Sequence, residues 1–394
     1  MIDKGADMLS IYIHIPFCVK KCFYCDFLSF SSDREEKEAY IQALLEEIKR
    51  EAPRYKSHLV DTVFFGGGTP SLLDGGQIVG IMEALKRCYH FATTPEVTIE
   101  VNPGTVDKEK LLAYQKAGIN RLSIGTQSLQ EEELQLLGRI HGVSDFYRTF
   151  YMAREVGFDN INIDLMSALP GQKIESYRDS LDKVIELQPE HISAYSLIIE
   201  EGTPFFDRYG IDAKQKEMLP SEEEERLMYE ETGRLLDEAG YWRYEISNYA
   251  RAGRECRHNI AYWKRENYVG FGLGSASMVD NVRWKNTSDI SKYMAMFSGQ
   301  AADDVSGDRS DIREEIQYLS MEEQMEEFMF LGLRLTGGVS RAVFLKLFQK
   351  NIEDVYGDVL TKLRKQGLIK SFEQITLTPF GRDVSNYVLA QFLL

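Results

Sequence analysis

Ser10-Ile-Tyr-Ile-His-Ile-Pro-Phe-Cys-Val-Lys-Lys-Cys-Phe-Tyr-Cys-Asp-Phe27 passes without a break from a short apolar strand into three closely spaced cysteines. Cys18, Cys22 and Cys25 follow a C-x-x-x-C-x-x-C spacing. Zinc sites mostly pair C-x-x-C units with a second pair far along the chain, to reach four ligands. Three thiolates on one short loop suit an iron–sulfur cube, in which each iron takes a thiolate and one iron stays open to bind a small molecule. A zinc site completed by His14 is the competing reading. Phe17, Phe23, Tyr24 and Phe27 flank the cysteines and are expected to shield the cluster from water.

Outward from this run, short apolar segments alternate with helical ones. Strands are expected at Ser10 to Ile15, Thr62 to Phe65, Glu96 to Val101, Arg121 to Gly125, Asn160 to Met166 and His191 to Leu197. Ile41, Leu44, Leu45 and Ile48 mark one face of an intervening helix; Val79, Met82 and Leu85 mark another. Apolar strands separated by helices imply an α/β fold with a parallel sheet, here a partial TIM-type (β/α)6 barrel. In such barrels function gathers where strands end. Residues 1–298 are read as this barrel with its extension, and 299–320 as a small, polar, acidic linker. Residues 321–394 are read as a small winged-helix-like domain of three helices, a short hairpin and a last helix.

The chain has 394 residues and a formal net charge of −16, which argues against nucleic acid as a partner. No stretch is long and apolar enough to cross a bilayer, and the first ten residues lack a signal pattern. Outside the trio only Cys88, expected mid-helix, and Cys256 remain, a usage that fits a reducing cytoplasm.

Several strand ends carry polar residues. Gly66-Gly67-Gly68-Thr69-Pro70-Ser71 follows the second strand. Its glycines are expected to let backbone approach a ligand and to offer free N–H groups. Glu100 ends the third strand, Gln127 the fourth, and Asp164 lies in the fifth. Charged groups inside parallel strands are costly unless paired or ligand-bound, so the three together point to a polar ligand. Arg139 is a further candidate, able to pair with a carboxylate.

Taken together, Tyr-Ile-His-Ile-Pro-Phe-Cys, the cysteine spacing, Gly-Gly-Gly-Thr-Pro-Ser, Glu-Val-Asn-Pro-Gly-Thr and Asn-Ile-Asp-Leu-Met resemble the radical S-adenosylmethionine proteins. The closer resemblance is to the branch that holds oxygen-independent coproporphyrinogen III oxidase and the HemW-type heme chaperones, and it covers nearly the whole chain. It implies a [4Fe–4S] cluster on Cys18, Cys22 and Cys25, whose open iron chelates S-adenosylmethionine for reductive cleavage to a 5′-deoxyadenosyl radical. By the same resemblance Tyr12 and Tyr24 lie along the ligand. Gly67, Gly68 and Thr69 approach its methionine part. Glu100 and Gln127 contact its polar groups, Arg139 its carboxylate and Asp164 its ribose.

Within that branch the oxidase carries a further cysteine where this chain has Phe27, and an N-terminal extension before the first strand. Both departures point away from coproporphyrinogen decarboxylation. Glu255-Cys-Arg-His-Asn-Ile-Ala-Tyr-Trp263 contains the H-N-x-x-Y-W motif associated with heme in the chaperones. His258, with Cys256 as substitute, is a candidate iron ligand, Tyr262 and Trp263 can pack on a porphyrin, and Arg257 can pair with a propionate. Without the resemblance, His258 and Trp263 read first as residues that simply orient the loop after a strand at Tyr244 to Tyr249; the resemblance reverses that order. The glycine-rich loop Gly270 to Ser277 is expected to border adenine or heme; where the resemblance places a histidine, this chain has Ala276. The implied partners are heme-accepting proteins and an electron donor, with a homodimer compatible. A porphyrinogen oxidase is the runner-up, and a zinc-dependent regulator the third reading.

Overall fold

The computed structural model describes residues 7–297 and 312–394. Its barrel is built from β1 (Asp7–Ile15), α1 (Arg34–Glu51), β2 (His58–Gly67), α2 (Gly75–Cys88), β3 (His90–Val101), α3 (Lys108–Ala117) and β4 (Arg121–Gln127). These are followed by α4 (Glu131–Leu136), α5 (Val143–Val156), β5 (Ile161–Ser167), α6 (Ile174–Glu186) and β6 (His191–Ser196). Each β1 to β6 neighbour pair is parallel, as the helical crossovers require. All six expected strands are present, β2 and β3 beginning several residues earlier than expected.

The strands are not apolar on both sides. Ile11, Ile13, Val63, Phe65, Val97, Ile99, Leu122, Ile124, Ile161 and Ile163 are buried in the main core. The alternate positions are Tyr12, His14, Thr98, Glu100, Ser123, Asn162, Asp164, His191 and Ser193, and they line the barrel interior. A strand turns successive side chains to opposite faces, so the apolar half packs on the helices and the polar half turns inward.

The sheet does not close on itself. After β6 come α7 (Pro204–Tyr209), α8 (Glu222–Glu238), β7 (Trp242–Arg243), β8 (Asn248–Ala250) and α9 (Arg257–Trp263). Then follow β9 (Tyr268–Phe271), β10 (Ala276–Val279), β11 (Val282–Asn286), α10 (Ile290–Phe297) and β12 (Arg313–Tyr318). The strand order β12-β11-β10-β9-β1-β2-β3-β4-β5-β6-β8-β7 makes one open sheet of twelve strands. The strand expected at Tyr244 to Tyr249 is instead the β7–β8 pair. Arg313–Tyr318, expected in a linker, pairs with β11 as the sheet's edge. The rest of that expected linker, up to residue 311, lies outside the described residues.

The C-terminal unit has its own core around Phe344, Ile352, Tyr356, Leu363 and Ile375. It comprises α11 (Met321–Gly332), β13 (Val339–Ser340), α12 (Arg341–Phe348), α13 (Ile352–Lys365), β14 (Ile369–Ser371), β15 (Gln374–Leu377), α14 (Pro379–Asp383) and α15 (Ser385–Ala390). Its β13-β15-β14 sheet joins the hairpin to a third, short strand ahead of α12. Among the described residues no helix is long and apolar enough to cross a membrane.

Candidate functional site: the mouth of the barrel

The cysteine loop leaves β1 at its C-terminal end and is fixed by backbone. Cys18 N–H donates to Phe30 O at 2.9 Å, Phe23 N–H to Leu137 O at 3.0 Å, and Phe205 N–H to Phe23 O at 3.0 Å. Phe23 and Tyr24 pack against Phe205 in a small apolar cluster beside the barrel. The flanking aromatics therefore divide: Phe17 belongs to the main core and Phe27 is 69% exposed. Phe27 faces solvent and does not shield the loop. Cys88 closes α2 at its last residue, away from mid-helix.

A chain of side chains connects two of the cysteines. Cys18 Sγ lies 3.5 Å from Thr69 Oγ1, which accepts from Asn102 Nδ2 at 2.9 Å. Asn102 Oδ1 accepts from Arg139 Nη2 at 2.7 Å, and Arg139 Nη1 donates to Cys22 Sγ at 3.5 Å. Arg139 Nη2 also donates to Gly125 O at 2.5 Å. A Cβ at Gly125 would stand 3.1 Å from Asn102 Oδ1 and 3.3 Å from Arg139 Nη2, so β4 makes room for the guanidinium there. Burial works against the Arg139 charge, but Tyr24 and Cys22 beside it outweigh that cost. Its Nε has no hydrogen-bond partner among the described residues.

The glycine run does a different job from the one its composition suggests. Gly67 N–H donates to Glu100 Oε2 at 3.2 Å, Gly68 N–H to Ile15 O at 2.8 Å and Thr69 N–H to Phe17 O at 2.8 Å. None of these three N–H groups is free for a ligand. A Cβ on Gly68 would meet Phe17 O at 2.8 Å and Ile15 O at 2.9 Å. Gly67, at φ 110°, would press a Cβ to 2.5 Å from the His14 ring. The bare backbone lets β2 close onto the start of the cysteine loop, a fit that no side chain would permit.

Glu100 and Asp164 turn into the barrel interior, each half-buried. Burial first, then the Asp164 charge, pushes the Glu100 carboxyl up to about 8, against the Gly67 N–H. Asp164 is also raised by burial, opposed by hydrogen bonds from Asn162, Ser193 and Ser123 and by Arg121. Asn162 Nδ2 donates to Asp164 Oδ1 at 2.7 Å and Ser123 Oγ to Oδ2 at 3.3 Å. Gln127 holds φ 70° where the β4 register slips, and its Oε1 accepts from Tyr195 OH at 2.8 Å. A non-glycine residue in the left-handed region costs energy and recurs at functional sites. Tyr12 joins this group: burial raises its phenol, with Glu100 the largest charged neighbour.

The donor set fits an iron–sulfur cube. A guanidinium donating to Cys22 and a hydroxyl beside Cys18 suit thiolates bound to iron. His14, the candidate fourth zinc ligand, is committed elsewhere: Nε2 to Leu28 O at 2.9 Å and Nδ1 to Tyr12 OH at 3.2 Å. Among the described residues no three His, Cys, Asp or Glu side chains are grouped around a position for a single ion.

The H-N-x-x-Y-W segment lies at the other end of the strands, on α9. Glu96 of β3 accepts from Arg257 N–H and His258 N–H, each at 3.1 Å, and from Cys256 Sγ at 3.6 Å, so a carboxylate from the sheet caps the helix. His258 is 1% exposed. Its Nδ1 bonds Thr62 Oγ1 at 2.7 Å, its Nε2 bonds Tyr262 OH at 3.0 Å, and its ring stacks on Phe64 at 5.1 Å. Burial pushes its pKa down to about 3. To coordinate iron His258 must give up one of these bonds and leave its packed position. Cys256 is fully buried, its thiol pushed up to about 12 by burial. Arg257 donates to Asp61 O at 2.9 Å and Asp61 Oδ1 at 3.2 Å. Trp263 stacks under Arg334 at 4.4 Å.

Sequence reading missed Asn102, which bridges the two halves of the cysteine network, and Ser123, Asn162 and Tyr195. A polar residue at every second strand position was the available signal.

Comparisons with known proteins agree with this geometry. Residues 12–184 match the Radical SAM superfamily and residues 319–384 the HemN C-terminal domain. The heme chaperone HemW of Bacillus subtilis is 36% identical over 388 residues, covering 98% of this chain and 99% of that protein. HemW of Escherichia coli is 41% identical over 272 residues, 69% of this chain and 70% of its own. Among solved structures, the radical SAM enzyme HemN of Escherichia coli, a coproporphyrinogen III oxidase, superposes with a TM-score of 0.83 at 25% identity, covering 100% of this chain and 91% of its own. The 36% identity to HemW of Bacillus subtilis along nearly the full length of both chains establishes that the protein belongs to the HemW family of the radical SAM superfamily.

Proposed function

We propose that the protein is a heme chaperone: it binds heme and passes it to heme-accepting proteins, using a [4Fe–4S] cluster and S-adenosylmethionine at the barrel mouth. The observation that carries this reading is the similarity to HemW of Bacillus subtilis over 98% of the chain. In this reading Cys18, Cys22 and Cys25 hold the cluster, which when bound supplies the electron that an outside donor delivers. The other residues bind and orient. Arg139 presents its guanidinium to Cys22 and to the ligand's carboxylate. Glu100, largely protonated near neutral pH, and Gln127 meet the ligand's polar groups. Asp164 accepts from the ribose hydroxyls. Tyr12 and Tyr24 flank the ligand. Gly67, Gly68 and Thr69 hold β2 against the cysteine loop.

The likeness to HemN favours a second reading, radical decarboxylation of coproporphyrinogen III. Phe27, in place of the oxidase's further cysteine, speaks against it. Anaerobic reconstitution with iron and sulfide separates the readings. Wild type and Cys88→Ala should gain cluster absorbance and Cys22→Ala should not. With reductant and S-adenosylmethionine the protein should leave coproporphyrinogen III unchanged; its conversion to protoporphyrinogen would restore the oxidase.

A further inference from the structure

Ser123 of β4, Asn162 of β5 and His191 of β6 are register partners, one row of side chains across the barrel interior. Asp164 and Ser193 form the next row toward the mouth. Hydrogen bonds run through these rows to Asp164 from Tyr244, in the turn between β7 and β8. Cys256 N–H donates to the Tyr244 oxygen at 3.3 Å, which leaves the phenol proton for His191 Nε2 at 2.8 Å. Burial first, then the Arg121 charge, pushes the His191 pKa well below its ordinary 6.5, so the ring is neutral and its one proton sits on Nδ1. Nδ1–H donates to Asn162 Oδ1 at 2.6 Å, and Ser193 Oγ donates to the same oxygen at 3.1 Å. With its oxygen held by two donors, the Asn162 amide turns both N–H bonds the other way, to Ser123 Oγ and Asp164 Oδ1, each at 2.7 Å. Ser123 Oγ donates in turn to Asp164 Oδ2 at 3.3 Å. Every proton in the chain points toward the carboxylate. A reversed amide would set N–H groups against His191 Nδ1–H and turn a carbonyl oxygen toward Asp164.

We infer that His191 and Tyr244 are positioning residues for the ligand's ribose: they fix the direction of the Asn162 amide and, through it, the orientation of Asp164. One lone pair on each carboxylate oxygen is then held by the protein, and the others are presented to the two ribose hydroxyls. The inference rests on the reading that Asp164 accepts from S-adenosylmethionine, and deepens it. Both residues act through Asp164 and not on the ligand itself.

Calorimetric titrations of the reconstituted full-length protein with S-adenosylmethionine, and with its analogue lacking both ribose hydroxyls, test this role. Tyr244→Phe removes the proton given to His191 Nε2. It should weaken S-adenosylmethionine binding about two- to tenfold. It should leave cluster absorbance and the affinity for the analogue at wild-type values, and weaken binding no further in an Asp164→Ala background. His191→Asn keeps an N–H donor where Nδ1 stands and should bind S-adenosylmethionine more tightly than the similarly sized His191→Leu. If one of these variants does not fold, the others decide. Wild-type affinity in folded Tyr244→Phe, equal weakening toward both ligands, or equal affinity in the two His191 variants would overturn the positioning role and leave the ribose contact standing. A wild type that binds both ligands alike, or neither, would overturn the contact itself and the positioning role with it.

Discussion

Arg139 Nη1 lies 3.5 Å from Cys22 Sγ, and through Asn102 and Thr69 the same guanidinium is linked to Cys18. A fixed positive charge beside a cluster thiolate favours the reduced, more negative cluster. Arg139→Gln should therefore retain the cluster but lower its reduction potential. An anaerobic redox titration reads the shift, and an unchanged midpoint would reduce Arg139 to a structural tie between β4 and the loop.

Asp164→Ala removes an acceptor that Asn162 and Ser123 hold in place. Charge-assisted hydrogen bonds to a ligand are worth about 1.5–3 kcal/mol, so affinity for S-adenosylmethionine should fall by about ten- to a hundredfold. Cluster assembly should be unaffected. Calorimetry giving the wild-type affinity would leave Asp164 as a buried polar group of the barrel.

Behind the barrel Glu47 accepts from Gly272 N–H at 2.8 Å, Asn286 Nδ2 at 2.6 Å and Tyr293 OH at 2.5 Å, tying α1 to the glycine-rich loop after β9. Burial outweighs these bonds and pushes its carboxyl up to about 7 from an ordinary 4.5. The folded state thus binds a proton that the unfolded chain releases. That contribution is complete below the ordinary value and is lost as pH rises through about 7. Relative to Glu47→Gln, the wild type should lose stability between these pH values, by at most about 3 kcal/mol. Parallel pH profiles of the two unfolding midpoints would contradict this.

His258→Ala should destabilise the protein before any heme is added. It opens a cavity against Phe64 and strands the buried Thr62 hydroxyl, a cost of about 2–4 kcal/mol. Chemical denaturation of the heme-free protein measures it. A histidine serving only as an iron ligand would leave that midpoint unchanged.

The strands were legible because their outward halves are runs of Ile, Val and Leu, and the cysteine loop because its spacing is rare. Glu100, Gln127 and Asp164 stood out as charge or amide in apolar surroundings. Other features depend on distant pairing. The parallel contact of β1 with β9 joins Ser10 to Tyr268, and nothing local to either signals it. Asn102 acts only because Thr69 and Arg139 arrive from other loops. What occupies the N–H groups of the glycine run was illegible for the same reason: the space beside Gly67 and Gly68 is taken by His14 and by the Ile15 and Phe17 backbone. His258 reads as a ligand by type, but Thr62, 196 positions away, holds one ring nitrogen.

The chaperone reading is tested most directly by heme transfer. Reconstituted protein loaded with heme is mixed with an apo heme protein, and the acceptor's absorption is followed. Its holo spectrum should develop as the donor's heme band declines. A donor band that persists unchanged in the presence of competent acceptors would contradict the account.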